Sequence, residues 1–131
     1  MVSDQWLVSS KKNMTVKSYQ ELSVWKKSID LTKEVYAATK NFPKEEIFGL
    51  TSQLRRACVS IPSNIAEGQS RGTQDFKRFL TIAMGSLAEV ETQLLISKEL
   101  GYLQIELYSR IIELCSEIGK MLNGLHRSLG Q

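Results

Sequence analysis

The sequence predicts an all-α protein, an antiparallel up-down-up-down four-helix bundle with a proline-kinked second helix. Three observations carry that reading. Apolar residues recur at alternating steps of three and four over long stretches, the period of a helix with one buried face. The breaks between those stretches are short and built around glycine and proline, and no apolar–polar alternation marks a strand. A chain of 131 residues, 42% hydrophobic and 24% charged, has the size and composition of one domain with a single core.

In chain order, residues 1–17 are polar and show no apolar period beyond Trp6 and Leu7, so a flexible extension is expected there. The bundle domain is expected over 18–131. Its opening signal is Ser18-Tyr19-Gln20-Glu21, a capping box in which the Ser and Glu side chains satisfy each other's free backbone donors. Helix one is then expected to run to about Asn41, with Leu22, Trp25, Ile29, Thr32 and Tyr36 as its inner stripe. Asn41-Phe42-Pro43 ends it, because proline disfavours helix in the residue before it.

Helix two is expected from about Leu50 to Ser70, after a short prelude at 44–48. Pro62 falls inside it, where a proline costs about 3 kcal/mol and frees a carbonyl one turn back. Ser60 and Asn64 flank the break and are expected to satisfy the freed group. Gln53, Arg56, Ser60, Asn64 and Glu67 recur at steps of three or four, so a helix aligns them on one polar face.

Thr73 is expected to cap helix three, with Asp75 in its first turn favourably placed against the helix dipole. Phe76, Phe79, Leu80, Ala83, Leu87, Val90 and Leu94 form its core stripe, and Gly101 is a left-handed stop after Leu100. Helix four is expected over roughly Gln104 to Ser128. Tyr108, Ile111, Cys115, Ile118, Leu122, Leu125 and Leu129 line it, and Leu107, Leu114 and Met121 add a second apolar line. That breadth exceeds a single seam and points to self-association.

Catalysis is not expected. The one histidine, His126, lies near the C-terminus and is expected to be solvent-exposed. No Cys/His cluster has metal-ligand spacing and no glycine-rich phosphate loop appears, so neither metal nor cofactor is expected. Glu89 and Glu91 do not share a helix face and make a poor acid–base pair. Cys58 and Cys115 sit within apolar helical patterns, which suits reduced, buried thiols in a cytoplasmic protein. No apolar run approaches the roughly 20 residues that span a bilayer, and no signal-peptide order opens the chain.

The polar row on helix two is matched on helix three by Ser86, Glu89, Gln93 and Ser97. Gln53, Arg56, Ser60, Asn64, Glu67, Ser86 and Glu89 are therefore expected to form a structural network, with Arg56 meeting Glu89 and Glu67 reaching Arg71. Buried groups of this kind fix register more than they stabilise.

The net charge of +3 is unevenly placed. Residues 1–44 hold eight lysines against four acids, residues 45–98 are balanced at six and six, and residues 99–131 hold three bases against four acids. Two basic groups stand out as candidate nucleic-acid contacts. Lys26, Lys33 and Lys40 recur at sevens along helix one, and Arg71, Lys77 and Arg78 gather about the turn between helices two and three. In a ring of identical subunits such groups repeat into a band able to hold phosphates. No aromatic platform or recognition-helix motif accompanies them, so base-specific reading is not indicated.

These residues resemble a bacterial family, the four-helix-bundle proteins encoded by intervening sequences in 23S ribosomal RNA genes. Its relatives include the accessory variability determinant of diversity-generating retroelements. The resemblance runs from Leu22 to about Leu103. It rests on Leu22-x-x-Trp25, Phe42-Pro43, Gly49-Leu50-x-x-Gln53-Leu54-Arg55-Arg56-Ala57 and Ser60-Ile61-Pro62-Ser63-Asn64-Ile65-Ala66-Glu67-Gly68. Further on it includes Phe76-x-x-Phe79-Leu80, Gly85-Ser86-Leu87-x-Glu89 and Leu100-Gly101-Tyr102-Leu103.

The resemblance implies a bundle assembling into a barrel-like homopentamer with a role in nucleic-acid binding. In the retroelement relatives a basic pentamer partners a reverse transcriptase and its template RNA. This chain is only mildly basic and its C-terminal helix is slightly acidic, which departs from those relatives. The expectation is a non-enzymatic oligomer that binds RNA or DNA weakly through phosphates. The alternative is a protein-interaction scaffold, or an accessory subunit for an enzyme such as a reverse transcriptase, without nucleic-acid contact.

Overall fold

The computed structural model describes residues 18–130. The extension expected over 1–17 lies outside them. Four helices follow one another: α1 (Ser23–Thr39), α2 (Leu50–Gln69), α3 (Thr73–Glu99) and α4 (Ile105–Ser128). Short 3-10 turns at Tyr19–Glu21 and Lys44–Glu46 precede α1 and α2. Each helix packs on two others, α2 on α1 and α3, and α4 on α3 and α1, so the four close an up-down-up-down bundle. The α2–α3 pair is the most closely packed.

The start of α1 differs from expectation. Ser18 caps the 3-10 turn instead, accepting from the Gln20 N–H at 3.1 Å, and the N-cap of α1 is Leu22, which offers no capping side chain. The buried face of α1 also lies to one side of the expected stripe. Val24, Ser28, Leu31, Val35, Ala38 and Thr39 are buried, whereas Trp25, Ile29 and Thr32 are half-buried and Tyr36 is exposed. Two apolar lines run side by side on this helix, and the bulkier aromatic one marks the margin facing α2. Buried Ser28 and Thr39 remain compatible with the core because each hydroxyl donates to a carbonyl of its own helix, Trp25 at 2.7 Å and Val35 at 2.8 Å.

Arg55 of α2 secures the C-terminal turn of α1. Its Nε donates to Thr39 Oγ1 at 2.8 Å, its Nη2 to the Tyr36 carbonyl at 3.3 Å, and its guanidinium lies 4.5 Å from the Tyr36 ring centroid.

α2 continues through Pro62. The carbonyl that Pro62 leaves without its helical donor is that of Cys58, and neither Ser60 nor Asn64 reaches it. Thr32 Oγ1 of α1 does, at 3.4 Å, while also donating to the Ser28 carbonyl at 2.9 Å. The Asn64 amide donates instead to the Ser60 carbonyl at 2.8 Å and to Ser60 Oγ at 2.9 Å. The break in one helix is thus met by its neighbour.

At its far end α2 approaches α3 closely. A Cβ at Gly68 would lie 2.6 Å from Phe79 Cβ and 3.2 Å from Phe76 Cα, so only glycine fits without moving a helix. Gly72, not Thr73, is the N-cap of α3, and its φ of 135° is a conformation open to glycine. α3 ends in a Schellman motif. Gly101 at φ 83° donates to the Lys98 carbonyl at 3.0 Å, and Tyr102 donates to the Ser97 carbonyl at 2.9 Å.

The second apolar line of α4 is not left wet by a single chain. Leu107, Leu114 and Met121 are half-buried against the core, beside fully buried Ile111, Cys115, Ile118 and Leu122. The unpartnered apolar surface lies elsewhere. Ile82, Leu95 and Ile96 are exposed on α3, Val59 on α2, and Ile47, Phe48, Leu100 and Ile105 at the end carrying the α1–α2 and α3–α4 connections. Phe48 is 93% exposed. An 18-residue window of α3 is apolar enough for a membrane span by composition, a feature missed by looking for unbroken runs. In the bundle, its inward residues, among them Leu80, Leu87 and Leu94, belong to the core.

Candidate nucleic-acid interface

The bundle places Lys26, Lys33 and Lys40 on the outward face of α1, all exposed and about 10 Å apart along the axis. Exposed Asp30 and Ala37 fall between them on the same face. Ion pairs between described residues engage the neighbouring α1 side chains instead, Lys27 with Glu117 at 3.1 Å and Glu34 with Arg110 at 2.7 Å. Among the described residues no ion pair engages the three lysines, and all three side chains are exposed.

The cluster at the α2–α3 turn is differently built. Arg71 donates from Nε and Nη2 to Glu67 Oε2 at 3.0 and 2.8 Å, and its Nη1 lies 3.8 Å from Asp75. Arg78 lies 3.6 Å from the other Asp75 oxygen. Both guanidiniums flank the Phe79 ring, at 5.2 and 4.6 Å from its centroid. Two carboxylates therefore balance two of the three cations, leaving Lys77 as the member outside the cage. The expected Glu67–Arg71 contact is present. Asp75, read from sequence only as a dipole partner, also serves as a counter-ion. The lysine row lies on α1 and the second group on the α2–α3 turn; α1 packs on α2 and α4 and not on α3.

The polar seam between α2 and α3 forms in part. Ser60 Oγ and Ser86 Oγ share a hydrogen bond of 2.8 Å, continued by Asn64, and Gln93 Nε2 donates to Gln53 Oε1 at 3.4 Å. The Arg56–Glu89 ion pair is not formed. Both residues are exposed and line one groove with Gln53, Ala57, Ser60 and Gln93. Two helix backbones drawn together by small residues hold their long charged side chains at the rim, where water competes for them.

Chemistry inside the core is muted. Cys58 and Cys115 are free and fully buried. Burial pushes the Cys58 thiol up to about 11, against weaker help for its thiolate from Thr32. Burial, then the Glu91 carboxylate, pushes Cys115 up to about 12. Neither is a thiolate near neutral pH. His126 is half-buried in the last turn of α4 rather than exposed. Among the described residues, no group of three or more His, Cys, Asp or Glu side chains gathers where a metal could be held.

Sequence reading missed Glu46. Its Oε1 accepts the Leu50 N–H at 3.1 Å, capping α2, and its Oε2 accepts from the Tyr102 hydroxyl at 3.1 Å, joining two connections. That hydrogen bond raises the Tyr102 phenol above its usual range.

Comparison with known proteins agrees with the bundle. Among solved structures, a protein of unknown function from the S23 ribosomal protein family of Bacteroides thetaiotaomicron superposes with a TM-score of 0.73 at 27% identity. The match covers 79% of this chain and 95% of that one. No curated protein matches the chain. Residues 20–124 match the family described as 23S rRNA-intervening sequence protein, and the chain belongs to that family.

Proposed function

We propose that the protein is a non-enzymatic, oligomeric RNA-binding bundle that holds nucleic acid weakly through phosphates. The observation that carries this reading is the outward row Lys26, Lys33 and Lys40, exposed and outside the ion pairs that engage its neighbours. Lys77 and, once loosened from Glu67 and Asp75, Arg71 and Arg78 extend it. The family's description connects its members with 23S rRNA genes, which supports RNA over DNA as the polymer.

Assembly makes modest charge effective. Three point charges per chain bind phosphate poorly alone, but copies in a ring present the row repeatedly to one polymer. The exposed apolar side chains of α3, Ile82, Leu95 and Ile96, support contact between copies. The family resemblance makes a closed pentamer the form to test. Free, buried Cys58 and Cys115 suit a cytoplasmic setting.

Filter binding of a structured RNA at about 50 and about 200 mM salt tests the reading, because each released counterion adds to the salt dependence. Retention at low salt that drops by tenfold or more at the higher concentration is expected, with further loss in the Lys26→Gln, Lys33→Gln, Lys40→Gln variant. Absence of retention at both concentrations rejects it.

A second reading, a scaffold for a protein partner, draws on exposed Ile47, Phe48, Leu100 and Ile105 at one end of the bundle. Nuclease-resistant capture of a partner, lost in Phe48→Ser, would favour it.

A further inference from the structure

The outer face of α3 carries an unpartnered seam. Ile82, Glu89 and Ile96 recur at sevens, about 10 Å apart along the axis, and all three are exposed. Leu100 prolongs the line and is exposed as well. Between Ile82 and Glu89 the same face carries Gly85, in the middle of the helix, where glycine costs about 1 kcal/mol relative to alanine. No atom of this chain lies within 4 Å of a β-carbon built there, so the bundle itself does not call for glycine. A bare stretch of backbone flanked by exposed isoleucines lets another helix come close.

α2, beside it, presents a complementary crest, with Arg56, Val59 and Ser63 exposed at steps of three and four. Arg56 and Glu89 line one groove, yet among the described residues neither enters an ion pair. Each chain thus holds a cation on one helix and a carboxylate on the next that it does not join.

We propose that α3 of one copy packs against α2 of the next, with Glu89 paired to Arg56 across the junction. Val59 then covers part of the isoleucine seam, and Gly85 marks the closest approach. The occupant is a second copy of this chain because the two faces complement each other in charge and in apolar content, and one sequence supplies both. Two-fold packing of α3 on α3 is disfavoured, because setting Ile82 against Ile96 of the other copy brings Glu89 against its own equivalent. Joining two different faces is a head-to-tail contact, which closes into a ring when the rotation between copies allows it. This interface rests on the oligomeric reading above and specifies which faces meet.

Sedimentation equilibrium of Arg56→Glu, Glu89→Arg and the chain carrying both reversals tests it. Each single reversal sets like charges together at every junction and is expected to weaken association about tenfold or more, while the double reversal restores the pair with its signs exchanged. Gly85→Leu is expected to break assembly too, by filling the close approach. Assembly adds its own stability, so each variant is compared with the native chain by circular dichroism at a dilution where both are single chains, and unchanged helix content is expected. Should a reversal disturb that content, Arg56→Gln and Glu89→Gln carry the same test with a smaller loss of association, and no loss in either overturns the interface. A native assembly indifferent to both single reversals, or a double reversal that stays dissociated, overturns the interface and leaves the claim of assembly standing. A native chain that sediments as a monomer overturns the oligomeric reading and this interface with it.

Discussion

Gly68 of α2 lies against Phe79 of α3 so closely that a β-carbon at residue 68 would sit 2.6 Å from Phe79 Cβ. The partner atom belongs to the root of a side chain, so relief requires helix displacement. Gly68→Ala is expected to destabilise by about 1–3 kcal/mol despite alanine's better helix propensity. Gly124 of α4 has no atom within 4 Å of a built β-carbon, and Gly124→Ala should be neutral or stabilise by up to about 1 kcal/mol. Urea denaturation of both variants checks the contrast, and equal effects would refute the packing argument.

Thr32 substitutes for the helical donor that Pro62 cannot supply to the Cys58 carbonyl. Thr32→Val keeps shape and removes the donor, at an expected cost of about 1 kcal/mol. In a Pro62→Ala background the backbone N–H restored at that position can reach the same carbonyl, so Thr32→Val should then cost less. A double-mutant cycle reads the coupling directly, and additive effects would show that the long Thr32 bond contributes nothing.

The buried thiols make stability pH-dependent on the alkaline side. Their ordinary value is 9.0, and they are raised to about 11 and about 12 in the folded chain. Below about pH 9 both are neutral whether folded or not, so their contribution is constant. As pH rises from 9 toward 11–12 only the unfolded chain ionises, and stability falls by about 1 kcal/mol per pH unit for each thiol. Denaturation midpoints at pH 8 to 11 should therefore decline more steeply in the native chain than in Cys58→Ala, Cys115→Ala. Parallel declines would contradict the burial.

Glu89 carries no ion pair with Arg56, so Glu89→Lys should leave stability within about 0.5 kcal/mol. A large loss of thermal stability in that single variant would restore the buried-network account.

The bundle was legible because periodicity, Pro43 and Gly101 all agree, each acting through local backbone physics. The α1 face was misplaced by one step because Trp25, Ile29 and Tyr36 look more hydrophobic than Ser28, Ala38 and Thr39. Burial is decided by distance from the axis of the bundle, and near the close-packed centre small hydroxyl residues fit where aromatics do not. Pairings across the bundle were least legible. Glu46 with Tyr102, Thr32 with Cys58 and Arg55 with Thr39 join residues whose partners depend on tertiary placement. The same holds for the basic groups. Spacing found the α1 row and the Glu67–Arg71 contact, but Asp75 as a counter-ion to Arg71 and Arg78 appears only once the turn is built.

Sedimentation equilibrium at micromolar concentration tests most directly the claim that copies of the chain join to repeat the lysine row. The account predicts a folded particle whose mass is a multiple of 14.8 kDa, five chains for the closed ring, weakened by Ile82→Glu or Leu95→Glu. A well-folded species of 14.8 kDa at every concentration would contradict it.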